Sequence, residues 1–180
     1  KTFEGGGGHG VRLLFYRLPA GGIGPGGLDC TNATTILPGQ TGVGATPGAD
    51  VGFDCDPQLS PAHYYVVQGT GELMTAETCN PVFLYDTYLA VFETTCDATG
   101  CIASNDDTCG RHSQVQWDSV AGVDYYIRVY GWDAREGVYF LRVSDANTPA
   151  EDPLVATPLT GAGVCASPDG GCDTEALGVT

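Results

Sequence analysis

Between residues 63 and 144 the chain alternates apolar and polar positions with a period of two, in short runs divided by turn residues. Such runs predict strands half-buried on one face. In residues 63–69 (HYYVVQG), Tyr64 and Val66 stand on one face and Tyr65 and Val67 on the other. In residues 86–94 (DTYLAVFET), Leu89 and Val91 oppose Tyr88, Ala90 and Phe92. Residues 113–120 (SQVQWDSV) turn Val115 and Trp117 inward and Gln114, Gln116 and Asp118 outward. Residues 123–132 (VDYYIRVYGW) set Val123, Tyr125, Ile127 and Val129 against Asp124, Tyr126, Arg128 and Tyr130, and residues 138–144 (VYFLRVS) add Tyr139, Leu141 and Val143. Turns fall at GTGE, DATG, SNDD, VAGVD and DAREG, and no window carries a capped helical period longer than a turn or two. Evenly spaced short strands of this kind predict an all-β antiparallel sandwich or barrel.

Composition divides the chain into three parts. Residues 1–29 are glycine-rich and enclose one apolar run, VRLLFYRL at 11–18; residues 30–145 hold the alternating strands; residues 146–180 are rich in Pro, Gly and Thr. At 180 residues there is room for one domain with extended arms. A formal net charge of −15 repels phosphate backbones and anionic lipid, which argues against nucleic-acid or membrane-surface partners. No apolar run approaches the roughly 18 residues of a membrane span. The eight cysteines are read as disulfides formed in an oxidising compartment. Zinc is the competing reading, but there is no CxxC pair, and His9, His63 and His112 are scattered. The first residue is Lys1 rather than Met, and the expectation is a mature secreted chain without its leader. Asn32-Ala33-Thr34 is an N-glycosylation sequon.

The order HYYVVQGTGE, TAETCN, LYDTYLAVFETTC, CIASNDDTCG, SQVQWDSVAGVDYYIRVYGW, GVYFLRVS resembles the bacterial pre-peptidase C-terminal domain. The motifs that carry the resemblance are DT-x-L-x-VF, the NDD turn, the small-residue turn before YYIRV and the final G-x-Y-x-L-x-V strand. It covers residues 30–145. It implies a jelly-roll β-sandwich, an accessory role beside secreted enzymes and, in some members, bound calcium.

Calcium takes about six to eight oxygen ligands. Asp86 at the start of one strand and Asn105, Asp106 and Asp107 on a neighbouring turn can supply several of them, against the competing reading of a turn whose side chains bond back to the backbone. Asp106 and Asp107 are sequence neighbours, a poor disposition for a glycosidase dyad. There is no GxSxG nucleophile motif, so no catalytic residue is expected. Tyr126, Tyr130 and Trp132 share one strand face and form a candidate platform for a polysaccharide or matrix protein. Eight cysteines allow 105 pairings. Cys96 and Cys101 flank the DATG turn, which favours Cys96–Cys101; Cys79 precedes the DTYLAVF strand and Cys109 follows the NDD turn, so Cys79–Cys109 would hold that loop to its neighbour, and Cys30–Cys55 and Cys165–Cys172 follow by elimination and proximity. The isolated run bearing Val11, Leu13, Leu14, Phe15, Tyr16 and Leu18 needs a sheet to pair with, either its own or a neighbour's. The expectation is a non-enzymatic secreted subunit that self-associates into a filament or matrix through its arms. The alternative is a calcium-dependent binding module accessory to a secreted hydrolase.

Overall fold

The computed structural model describes residues 22–46, 55, 60–80, 85–97 and 99–149. Ten strands run in chain order: β1 (Gly22–Ile23), β2 (Thr34–Thr35), β3 (Thr41–Ala45), β4 (Ala62–Gln68), β5 (Leu73–Glu77), β6 (Thr87–Glu93), β7 (Cys101–Asn105), β8 (Gln114–Asp118), β9 (Asp124–Gly131) and β10 (Val138–Asp145). They form two five-stranded sheets, β1-β3-β10-β5-β8 and β2-β4-β9-β6-β7. The outermost pairs β1–β3 and β2–β4 are parallel and the rest antiparallel. The class expected from the alternation, an all-β sandwich, is the class found.

The core lies where the two inner faces meet. Met74, Ala76, Val115, Trp117, Tyr139, Leu141 and Val143 of the first sheet pack with Tyr65, Val67, Leu89, Val91, Tyr125, Ile127 and Val129 of the second. These are the inward positions of the period-two runs.

Five strands, β1, β2, β3, β5 and β7, lie outside the predicted runs, and two of them show why. In β3 (TGVGA) the inward positions are Gly42 and Gly44, so no apolar period shows. A Cβ on Gly42 would lie 2.6 Å from the Tyr65 hydroxyl oxygen, and one on Gly44 would meet the Tyr139 ring. Two bulky tyrosines fill the space their partners leave empty. The second is β1, placed in the glycine-rich arm by the boundary drawn at residue 29. Residues 22–29 instead belong to the sandwich: β1 pairs with β3, Gly27 exchanges two 2.8 Å backbone hydrogen bonds with Tyr64, and Gly26 donates to the Tyr139 hydroxyl at 3.4 Å. The same hydroxyl lies 2.8 Å from His63 Nδ1 and 3.1 Å from the Tyr65 hydroxyl, which donates to the Gly24 carbonyl. Glycine here admits close approach of backbone to ring.

The second sheet has a further apolar layer on its outer face. Ala62, Tyr64, Tyr88, Ala90, Phe92 and Tyr130 are buried together, with Cys30, Ala33, Cys55, Cys96, Cys101 and Tyr126 packed against them. The positions expected to face solvent on β6 and β9 are therefore covered. Arg128, in the middle of that face, is 0 % exposed.

Candidate functional site

Asp86 immediately precedes β6, and Asp106 and Asp107 immediately follow β7. The two strands pair antiparallel with Leu89 opposite Asn105, so the entry of one lies beside the exit of the other. This register brings one oxygen each of Asp86, Asp106 and Asp107 within 4.8 Å of one another. Asn105, expected to join them, is engaged otherwise. Its side-chain oxygen accepts from Thr108 N (3.3 Å), Thr108 Oγ1 (2.8 Å) and Gln114 N (3.1 Å), which makes it the cap of the turn. The Ser113 hydroxyl, within reach of the Thr87 and Asp106 carbonyls, ties the turn to the base of β6.

The electrostatics of the trio are those of a site short of positive charge. Asp106 Oδ1 is buried without a hydrogen-bond partner. Desolvation, then the neighbouring charges of Asp107 and Asp86, push its carboxyl up to about 6. Arg135 Nη1 lies 3.8 Å from Asp86 Oδ2 on a half-exposed side chain. Oxygen donors of this kind fit a hard divalent cation such as calcium, with water and carbonyls completing its shell.

The loop after β9 leans on the same aspartate. Trp132 donates its backbone N–H to the Asp86 carbonyl at 3.1 Å. Its ring is 39 % exposed and stacks on Tyr88 at 6.4 Å with an interplanar angle of 14°. Asp133 and Ala134 follow with φ of 52° and 56°, a left-handed conformation that non-glycine residues hold only when surroundings enforce it. Here Ser60 Oγ accepts from Ala134 N at 3.1 Å, and the Tyr85 hydroxyl donates to the Arg135 carbonyl at 3.4 Å.

The platform expected from Tyr126, Tyr130 and Trp132 does not form. Tyr130 is 0 % exposed, packing 4.8 Å from Tyr88, and Tyr126 is half-buried beside the outer-face layer. Alternation puts Tyr126 and Tyr130 on one face, but that face is covered; of the three, Trp132 alone is exposed.

Two expected disulfides are replaced by others. The bridges are Cys30–Cys96, Cys55–Cys101 and Cys79–Cys109, with Cα separations of 6.0, 5.5 and 5.9 Å. Cys30–Cys55 and Cys96–Cys101 are thus corrected, whereas Cys79–Cys109 is as expected. The physical reason is that the DATG turn closes itself. Asp97 Oδ1 accepts from Thr99 N at 2.9 Å and Gly100 N at 3.3 Å, and Glu93 N donates to Gly100 O at 2.7 Å. Its two cysteines are left to fasten distant segments over the apolar outer face. Three bridges mark a fold matured in an oxidising compartment. Cys165–Cys172 and the run Val11, Leu13, Leu14, Phe15, Tyr16 and Leu18 lie outside the described residues. Asn32 is exposed, and its side-chain nitrogen donates to both carboxylate oxygens of Asp29 at 3.0 and 2.9 Å.

Sequence reasoning missed Arg128. The signal was a lone cation amid Ile127, Val129 and two tyrosines. Its guanidinium carbon lies 4.3 Å from the Tyr130 ring centre and 5.9 Å from that of Tyr64, and Nη2 donates to the Ser60 carbonyl at 2.9 Å. Burial lowers its pKa to about 10, so the group stays charged at neutral pH.

No family model and no curated protein matches the chain. Among solved structures it is similar to the pre-peptidase C-terminal domain of a collagenase from Bacillus anthracis, with 17 % identity and a TM-score of 0.46 over 62 % of this chain and 93 % of that one. It is also similar to PliG, a periplasmic inhibitor of g-type lysozyme from Aeromonas hydrophila, with 18 % identity and a TM-score of 0.40 over 62 % of this chain and 95 % of that one. The first is a domain of the family that the sequence resembles. At such identities and scores the likeness carries no argument about function.

Proposed function

We propose that the chain is a non-enzymatic, secreted binding module, accessory to other extracellular proteins, that holds calcium between Asp86, Asp106 and Asp107. The observation that carries this reading is that one oxygen each of Asp86, Asp106 and Asp107 lie within 4.8 Å of one another, beside an Asp106 carboxyl whose Oδ1 is buried without a hydrogen-bond partner. Calcium there supplies the missing charge and braces the base of β6 against the turn after β7. It also steadies the Asp86 carbonyl from which the exposed Trp132 loop hangs, and Trp132 is the contact offered to a polysaccharide or matrix protein. Self-association into a filament depends on residues 11–18, outside the described residues, and nothing in the described sandwich favours it.

Thermal unfolding with increasing calcium tests the proposal. Wild type gains several degrees at millimolar calcium through ligand linkage, and Asp106→Asn with Asp107→Asn abolishes the gain without altering the calcium-free fold by circular dichroism. An unchanged midpoint in wild type at all calcium concentrations sinks it.

A further inference from the structure

Among the described residues, β8 ends the first sheet on one side, with β5 as its ladder partner. Thr78 N donates to the Ser113 carbonyl at 2.9 Å and Ser119 N to the Glu72 carbonyl at 3.2 Å. An antiparallel ladder repeats every two residues. Ser113, Val115, Trp117 and Ser119 therefore turn their backbone groups to β5, and Gln114, Gln116 and Asp118 turn theirs outward. The outward row is capped at both ends. Gln114 N donates to Asn105 Oδ1 at 3.1 Å, and Val120 N donates to the Tyr125 hydroxyl at 2.9 Å. Between these caps stand the amides and carbonyls of Gln116 and Asp118, both on exposed residues.

The side chains around this row select its occupant. Asp118 and Glu72 are exposed carboxylates, while Arg142 of the same sheet lies beside Glu77. Leu73, opposite Asp118 in the register, is 46 % exposed, and Val120 is 57 % exposed. Acidic and apolar side chains thus border outward backbone donors and acceptors, the makeup of an edge that takes an added strand.

We propose that Gln116 and Asp118 form a docking edge for an extended basic segment of another protein. The segment runs antiparallel to β8 and exchanges backbone hydrogen bonds with both residues. A Lys or Arg in it faces Asp118, and an apolar residue two places earlier lies beside Val120. The contact needs no calcium.

Amide hydrogen exchange, read by NMR on the full chain, tests the edge with acetyl-Thr-Val-Thr-Arg-Thr-Thr-amide as the probe. Saturating peptide is expected to slow exchange at Gln116 and Asp118 about tenfold. Val115 and Trp117, already bonded to β5, should not change. The same peptide N-methylated at Arg and at the last Thr keeps its charge but lacks two donors, and is expected to protect neither amide. Asp118→Asn should weaken the unmodified peptide about threefold, as befits one exposed ion pair. Unchanged exchange at Gln116 and Asp118 overturns the proposal. Equal protection by the N-methylated peptide does so too, because the attraction is then one of net charge alone. Amides at Gln116 and Asp118 that exchange as slowly as those of Val115 and Trp117 before peptide is added also overturn it, since the chain itself or a second copy then occupies the edge. An unaltered affinity in Asp118→Asn overturns the choice of a basic partner.

Discussion

The two sheets present opposite outer faces. On the first, Thr75, Glu77, Gln114 and Arg142, half-buried, and Gln116, exposed, make polar cross-strand contacts: Gln114 Nε2 donates to Glu77 Oε2 at 2.7 Å, Gln116 Nε2 to Thr75 Oγ1 at 3.1 Å, and Arg142 Nη1 lies 3.9 Å from Glu77 Oε1. On the second, the equivalent positions are Ala62, Tyr64, Ala90, Phe92, Arg128 and Tyr130, all buried. The first face needs only water and neighbours on the same sheet. The second needs a cover, which loops supply and disulfides fasten. A sheet apolar on both faces is thus the reason for the bridges, and two arginines in similar strands meet different physics.

The sharpest way to break this contrast is to add one charge to each face. Ala90→Lys inserts an ammonium into the covered layer and is expected to cost about 4 kcal/mol, because a buried charge without a matched partner pays its full desolvation. Thr75→Lys on the open face should stay within about 0.5 kcal/mol of wild type. Urea unfolding midpoints at constant slope measure both, and equal losses would deny that the faces differ. Removing the charges gives a smaller separation. Arg128→Ala leaves a void under the cover and an unpaired Ser60 carbonyl, with an expected loss of about 3 kcal/mol. Arg142→Ala breaks one long surface ion pair and should lose less than about 1 kcal/mol.

The smallest effect belongs to the space between the faces. Burial holds the His63 imidazole below its ordinary value of 6.5, so the unfolded chain takes up a proton before the folded one does. Stability from neutral His63 is complete above that ordinary value and is lost as pH falls through the lower, folded one. Unfolding midpoints followed downward from neutral pH should therefore decline more steeply in wild type than in His63→Asn. Parallel profiles would show that the ring carries no such linkage.

β8 and β10 were legible because a period of two survives wherever one face is dry and the other wet, whereas β5, which also feeds the core, was not read. On β6 the run Tyr88-Leu89-Ala90-Val91-Phe92 is apolar at every position, which is the mark of burial on both faces. Reading it as simple alternation placed Tyr126 and Tyr130 in solvent. β3 was hidden because its inward residues are glycines whose volume is filled from across the core by tyrosine. The carboxylate trio was legible because it depends only on a strand start and a neighbouring strand end. The bridges Cys30–Cys96 and Cys55–Cys101 were not, since they close spans of 66 and 46 residues and depend on a cover that no local spacing announces.

The lengths of the edge strands bear on how such a molecule behaves when crowded. At one border of each sheet stands a strand of two residues, β1 or β2, too short to template a neighbour's backbone. β7 borders the second sheet on the other side, but its pairing with β6 is irregular between Val91 and Phe92, which spoils the repeat that a docking strand would need. Among the described residues this leaves β8, five residues long, as the one regular border. Its outward side chains are Gln114, Gln116 and Asp118, ending in a carboxylate. Like molecules meeting there bring negative charge to negative charge, so the border favours solubility over stacking, and any strand that extends it does best carrying positive charge.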